Sequence, residues 1–384
     1  MPNRLLESIP PSYFGSAMSK KLEAGKKRVI NLAVGIPDQP TPEQVINAVK
    51  QSVEQPENQR YGVFRGKASF KEAIIAFYQS EYDVKLSEEN IAVLYGTKSA
   101  LVQFPMTFIE PGEGVYLPNP GYADYEAGVN LARGEVYDLP LHPENHFLPV
   151  YDALNPEEVE NARLIYLNYP SNPLGAVADK SFFDETINRF KNTKTRIVHD
   201  FAYAPFSYSG KHPSILQSDP EFECSMEIYS LSKGFNMSGF RVGFAVGNPE
   251  MIESINKFQD HTQTGMWGVL QDAAVAALSS APDVLPEQQR IFLKRKNYIV
   301  SEFEAMGVPL NPIEGGIFGW LPVPEGFDGE SFTGYLLKEQ SILVTPGIPF
   351  GSRGRNYIRI SLAVEDADLE ELVSRFKEIK DLWQ

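Results

Sequence analysis

Between about residues 45 and 280, short β-rich runs alternate with longer stretches of helical periodicity, the signature of βαβ units on a mostly parallel sheet. Ile91–Tyr95, Val115–Leu117, Glu135–Leu139, Leu164–Leu167, Arg196–His199, Glu227–Ser230 and Val242–Val246 read as strands, most bracketed by Gly, Pro or Asn. Helical patterns cover Lys67–Tyr82, Tyr122–Ala132 and Lys180–Phe190. Beyond Ala281 the texture changes. A charged amphipathic stretch runs to Ala305, followed by an apolar run at Gly315–Leu321, a helix near Ser331–Glu339, a strand at Tyr357–Ile360 and a last helix from Asp366. The expected fold class is α/β: a large domain over 45–283, and a smaller α+β domain built from 284–384 together with the N-terminal segment 1–44.

Composition narrows the function. The chain has 384 residues, 35 Lys plus Arg against 50 Asp plus Glu, and a formal charge of −15. Such a balance argues against nucleic acid or anionic membrane as a partner, so any anion site must be a local exception. No apolar run approaches the roughly 18 residues a membrane span needs. The single cysteine, Cys224, excludes an intramolecular disulfide and a cysteine-rich metal cage. It reads as a buried inert thiol. Met1 to Met18 carries Pro2, Pro10 and Pro11 but no apolar core of a secretory signal, so a cytoplasmic location is expected.

In open parallel sheets, ligands bind beyond the carboxyl ends of the strands. Here those positions are unusually polar: Gly96-Thr97-Lys98, Asn119 to Tyr122, Asn168 to Asn172, Asp200 with Tyr203, and Ser230-Leu231-Ser232-Lys233. The loop from Ser230 to Arg241 supplies hydroxyls, an amine and a guanidinium between two apolar strands, a set suited to a phosphate. Lys233 is then a further phosphate contact or an amine kept for covalent chemistry. Asp200, at a strand end, is placed either to pair with a protonated ring nitrogen or to cap the following turn. His199 points the other way, into packing.

Asn172-Pro173, Asp200-x-x-Tyr203, Ser230-x-Ser232-Lys233 and Arg241, in that order, resemble the active site of pyridoxal-phosphate-dependent aminotransferases of fold type I, the aspartate aminotransferase fold. The resemblance runs from Asn31-Leu32-Ala33-Val34-Gly35 to Arg359-Ile360-Ser361. It implies that Lys233 holds pyridoxal 5'-phosphate as a Schiff base and then shuttles a proton. Asp200 would keep the pyridine nitrogen protonated. Asn172 and Tyr203 would hydrogen-bond the phenolic oxygen, and Tyr122 would stack on the ring. The phosphate would lie among Ser230, Ser232, Arg241 and the amides of Gly96, Thr97 and Lys98. Tyr61 resembles a tyrosine that reaches this phosphate from a neighbouring subunit, which makes a homodimer part of the expectation. Thr264 is a weaker interface candidate and reads better as a surface loop. Arg359 matches the arginine that forks onto the substrate α-carboxylate, with Asn172 beside it and Gly35 letting its backbone approach.

The chain departs from the family pattern in two places: Ser99 follows Gly96-Thr97-Lys98 where a glutamate is common, and Leu174 stands where threonine often follows Asn-Pro. Lys98 resembles a lysine that contacts the distal carboxylate of acidic substrates in some relatives, with a place near the phosphate as the other reading. The expected activity is transfer of an amino group from an L-amino acid to a 2-oxo acid, 2-oxoglutarate by resemblance, in ping-pong fashion through pyridoxamine phosphate. The chain looks most like the LL-diaminopimelate, aspartate, alanine and aromatic branch, with Tyr13, Phe14, Ile36 and Lys98 as specificity positions. Two other readings compete. One is a C–S lyase or other elimination enzyme on the same fold. The other is a non-catalytic regulator that senses the cofactor, disfavoured because no DNA-binding extension precedes the domain and the catalytic set is intact.

Overall fold

The structure, a computed structural model, describes residues 4–7, 9 and 27–384. Strand β1 (Ile30–Asn31) is followed by β2 (Ile91–Leu94), β3 (Gly114–Asn119), β4 (Glu135–Pro140), β5 (Ala162–Asn168), β6 (Arg196–Asp200), β7 (Ser225–Ser230) and β8 (Gly243–Gly247). Strands β2 to β8 form one seven-stranded sheet in the order β2-β8-β7-β6-β5-β3-β4. Its core pairs are parallel, and only β8 runs against its neighbours β7 and β2. Strands β6 and β7 are buried almost throughout, as parallel strands covered on both faces must be.

Side-chain alternation sorts the sheet into two apolar layers. Ile165, Ile197, Tyr229 and Phe244 face one core, while Leu164, Val198, Ile228 and Ala245 face the other. Val198 and Asp200 therefore share a face, and His199 lies on the opposite one. The helix Lys180–Phe190 is capped by the Asp179 carboxylate, which accepts from the Phe182 amide at 2.8 Å. The helical pattern from Tyr122 begins only at Tyr125. Gly121 is the cause: its N–H donates to the Phe350 carbonyl at 2.7 Å, and a Cβ there would lie 2.2 Å from the Pro118 carbonyl oxygen, so the chain stays a loop against the C-terminal region.

The C-terminal region carries β9 (Phe318–Pro322), β10 (Ile342–Leu343), β11 (Thr345–Pro346) and β12 (Tyr357–Ser361). β12 lies between β11 and β9, antiparallel to both, and β1 pairs parallel with β10 through Ile30 and Ile342. A third apolar cluster joins Ile30 and Leu32 to Phe292, Phe303, Leu336, Ile358 and Phe376. The helix Ala281–Met306 contributes Phe292, Ile299 and Phe303 to it and ends at Gly307, whose φ of 73° closes the last turn. Cys224 is fully buried, and burial pushes its thiol up to about 12. Among the described residues no helix is long and apolar enough to cross a membrane.

Candidate active site

The strand ends open into a cavity of about 980 Å³ between the sheet and the C-terminal region, within the size range of small-molecule sites. Its wall carries Gly35, Thr97, Lys98, Tyr122, Asn172, Asp200, Tyr203, Ser230, Ser232, Lys233, Arg241 and Arg359. Residues 324 positions apart in the chain thus meet, and only the topology brings them there. Ile36 shares the wall, whereas Tyr13 and Phe14 lie outside the described residues.

Lys233 sits on the short helix Leu231–Gly234 that follows β7. Its Nζ donates to the Gly35 carbonyl at 2.5 Å and stands 5.7 Å from the centre of the Tyr203 ring. Burial, followed by the Arg359 and Arg241 charges, lowers the amine from its usual 10.5 to about 8, with Asp200 pulling the other way. An amine so placed is largely neutral just above that pH and is competent as nucleophile and as base. The folded chain releases this proton before the unfolded chain does, so the cofactor-free protein gains stability from the group as pH rises from about 8 towards 10.5. Acylation of Lys233 in cofactor-free protein, followed by mass spectrometry across pH, is expected to show a midpoint near 8. A midpoint at the ordinary lysine value of about 10.4 would refute it.

Asp200 ends β6. Its Oδ2 accepts from the Tyr125 hydroxyl at 2.8 Å and its Oδ1 from the Ala202 amide at 3.2 Å. The carboxylate thus lines the cavity and also ties the turn that follows the strand. Burial pushes its pKa up, while the Tyr125 hydroxyl, the Ala202 amide and the charges of His199 and Lys233 pull it back. Asn168, at the end of β5, holds both neighbours. Its Nδ2 donates to the Asp200 carbonyl at 2.8 Å, and its Oδ1 accepts from the Asn172 amide at 2.7 Å.

A second set of donors lines the same cavity. Ser230, Ser232 and the N-terminus of the helix Thr97–Phe108 meet Arg241 there. Arg241 takes a left-handed backbone angle of 57°, rare for a side chain of its size. A Cβ at Gly96 would lie 2.6 Å from its Nη2, so glycine is what lets the guanidinium lie against the loop. A cradle of hydroxyls, one guanidinium and a helix N-terminus suits a phosphate, and a buried carboxylate in the same cavity suits a protonated ring nitrogen. These residues fit pyridoxal phosphate.

Arg359, on β12, is packed between the rings of Phe318 and Phe350, 4.1 and 4.9 Å from their centres. Its Nη1 donates to Asn172 Oδ1 at 2.8 Å and its Nη2 to the Ala33 carbonyl at 2.6 Å. The Ala33 carbonyl also accepts from Thr345 Oγ1 at 3.0 Å. Gly35 lies against Phe318, where a Cβ would come within 2.3 Å of the ring.

Three predicted positions behave differently. Tyr61 is 85% exposed and outside this chain's own cavity. Lys98 lines the cavity, but its Nζ is 2.8 Å from Asp124, so that carboxylate already balances its charge. Thr264 is exposed, and its carbonyl accepts from the Tyr95 hydroxyl at 2.5 Å, in keeping with a surface loop. The roles of Tyr125, Phe318 and Phe350 escaped the sequence reading. Tyr125 stands one helical step after Tyr122, and that spacing was the available signal. Nothing local marks the two phenylalanines.

A family model described as aminotransferase class I and II matches residues 27–376. The chain is 40% identical over 378 residues to the L-glutamine–4-(methylsulfanyl)-2-oxobutanoate aminotransferase of Bacillus subtilis, covering 97% of this chain and 95% of that protein. It is 35% identical over 380 residues to the LL-diaminopimelate aminotransferase of Aquifex aeolicus, with 98% of each covered. A solved aminotransferase structure from Staphylococcus aureus matches with a TM-score of 0.96 at 48% identity, over 100% of both chains.

Proposed function

The chain belongs to the class I and II aminotransferases and is a pyridoxal-phosphate-dependent transaminase; from that premise we propose that it uses Lys233, Asp200 and Arg359 to move an amino group from an L-amino acid to 2-oxoglutarate in two half-reactions. The observation that carries the residue assignment is the convergence of those three side chains, from three separate parts of the sequence, on one cavity. The bound cofactor supplies an electron sink for the pair released when the donor Cα loses its proton.

The chain's residues do the rest. Arg359 binds the α-carboxylate of donor or acceptor, held in orientation by Asn172 and by its two flanking rings. The Lys233 amine would take the Cα proton and return it two atoms along, beyond the amino nitrogen, a task for which an amine with a pKa lowered to about 8 is suited. Asp200 holds the ring-nitrogen proton, with Tyr125 and Ala202 fixing its two oxygens. Asn172 and Tyr203 would donate to the phenolic oxygen, Tyr122 would cover the ring, and Ser230, Ser232 and Arg241 would anchor the phosphate. The reactions named for the relatives, a glutamine and 4-(methylsulfanyl)-2-oxobutanoate couple and LL-diaminopimelate, indicate which donors to try first.

The two-domain division into 45–283 and the remainder is supported by the separate apolar cluster that joins Ile30 and Leu32 to the C-terminal elements, with the boundary in the first turn of the helix Ala281–Met306. Homodimerisation is supported by the exposure of Tyr61, Val63, Phe64 and Trp267 together on one chain. A monomer in sedimentation equilibrium at assay concentrations would remove it.

Absorbance spectra of holoenzyme titrated with single L-amino acids test the whole reading. A donor should bleach the visible band of the lysine-bound cofactor without any oxo acid present, and 2-oxoglutarate should restore it. Arg359→Ala is expected to weaken the response to donor by about 10² to 10³-fold in kcat/KM, because truncating one side of a buried charge pair costs 2–5 kcal/mol. Continued release of an oxo acid together with ammonia, with no acceptor present and the visible band retained, would instead indicate elimination.

A further inference from the structure

Behind the cavity, on the opposite face of the sheet, lies a second polar cluster that takes no part in the chemistry assigned above. His199 and Glu227 are both fully buried and stand directly opposite each other on β6 and β7. His199 Nδ1 is 2.8 Å from Glu227 Oε2, and its Nε2 is 3.0 Å from the Tyr169 carbonyl. Both ring nitrogens thus face oxygen acceptors: Nε2–H donates to Tyr169, and one proton bridges Nδ1 and the carboxylate. Glu227 accepts three more hydrogen bonds. Tyr78 Oη and Ser214 Oγ each donate to Oε1 at 2.8 Å, and the Ile215 amide donates to Oε2 at 3.0 Å. The imidazole is packed between Phe183 and Phe201, 4.9 Å from each ring.

The position of this cluster gives it a consequence for the cavity. Tyr169 directly follows Asn168 and leads into Asn172. Asp200 directly follows His199, and its carboxylate emerges on the other face of the same strand. Glu227 lies three residues before Ser230 and six before Lys233. One imidazole and one carboxylate therefore tie the residue just past β5 and the end of β6 to the middle of β7, strands from whose ends the residues assigned to the phenolic oxygen, the ring nitrogen, the phosphate and the amine all project. The cluster adds side-chain bonds across all three, beside the place where the β5–β6 backbone pairing ends at Asn168 and Asp200.

We propose that His199 and Glu227 are positioning residues for the cofactor: the couple sets the relative placement of Asn172, Asp200 and the Ser230–Lys233 turn from behind the sheet. It touches neither cofactor nor substrate. The inference rests on the cavity assignment made above. Arg359 lies on β12, outside the cluster, and is linked to it only through its bond to Asn172, its other anchors being the Ala33 carbonyl and the rings of Phe318 and Phe350, so the donor carboxylate is the less affected.

Holoenzyme of three variants tests this. His199→Phe fills the slot between Phe183 and Phe201 but removes both polar contacts. It should raise the dissociation constant for pyridoxal phosphate, and lower kcat, by about tenfold to a hundredfold each, with the donor KM moving by less than about threefold. Glu227→Gln should follow it. His199→Gln keeps an amide donor within reach of the Tyr169 carbonyl, and should recover part of both losses. Melting of the cofactor-free proteins gives the control. If the variants lose melting temperature while cofactor affinity and kcat stay within about twofold of wild type, the couple is structural only and the proposal is overturned. Equal losses in all three, with no recovery in His199→Gln, would also overturn it. Failure of the wild-type protein itself to form the lysine-bound chromophore is a different result, one that removes the cavity assignment and this inference with it.

Discussion

Lys233→Ala is expected to lower turnover by at least about 10⁴-fold while leaving the fold intact, since on the proposed assignment it removes both the group that anchors the cofactor and the group that carries the proton. The fold tolerates the change because the amine is held there against the charges of Arg359 and Arg241, and its burial disfavours the cation. Removing it relieves that repulsion, so the melting temperature of the cofactor-free protein should hold or rise. Among the described residues no other lysine stands ready to substitute: Lys98, which shares the cavity, is engaged by Asp124 at 2.8 Å. The measurements are kcat for the best donor, the visible absorbance of protein incubated with pyridoxal phosphate, and the intact mass after borohydride reduction, which fixes the cofactor covalently only when the lysine has bound it. Turnover within about tenfold of wild type would return Lys233 to the role of a phosphate contact.

Asp200→Asn is expected to cost on the order of 10³-fold in kcat/KM, the scale of breaking a buried charged pair by neutralising one partner. The substitution is nearly isosteric. The amide oxygen still accepts from Tyr125 or from the Ala202 amide, so loss of the site by unfolding is not expected. What disappears is the negative charge that keeps a proton on the ring nitrogen, and with it the capacity of the ring to accept electrons. The loss should fall mainly on kcat, because the carboxylate-binding Arg359 is untouched. A variant that loses donor affinity but keeps kcat would place Asp200 in the turn alone.

The two halves of the molecule were unequally legible in sequence. The central strands announce themselves because parallel strands covered on both faces are nearly continuous apolar runs with polar residues just past their ends, and the runs at Leu164, Arg196 and Glu227 became β5, β6 and β7 with ends displaced by at most a few residues. The residues proposed for the site were legible for the same reason, since Lys233, Asp200 and Asn172 sit at or just beyond such ends and the structure brings them to one cavity. What escaped was whatever depends on contact between distant segments. Gly121 bonds to Phe350 and so delays the helix to Tyr125. Asp124 takes up the charge of Lys98. Phe318 and Phe350 enclose Arg359. None of these has a local pattern, because the partner lies far away along the chain. His199 was assigned to packing, and its place on the face away from the cavity agrees, but its opposite neighbour on β7 is visible only in the register of the sheet.

Two carbonyl oxygens two residues apart, of Ala33 and Gly35, receive the two cations that the ligands will claim: Arg359 and Lys233. Ligand binding here is thus an exchange of partners and not the capture of bare charge. A carboxylate arriving at Arg359 gains only the difference between its own bond and the one it displaces, a modest free energy that favours rapid release of product over tight retention. The Gly35 carbonyl gives up its donor once Lys233 takes up the cofactor, whereas the Ala33 carbonyl is there to receive Arg359 after each product leaves. The N-terminal segment therefore serves as a stand-in ligand for the arginine between turnovers and for the lysine in the cofactor-free protein.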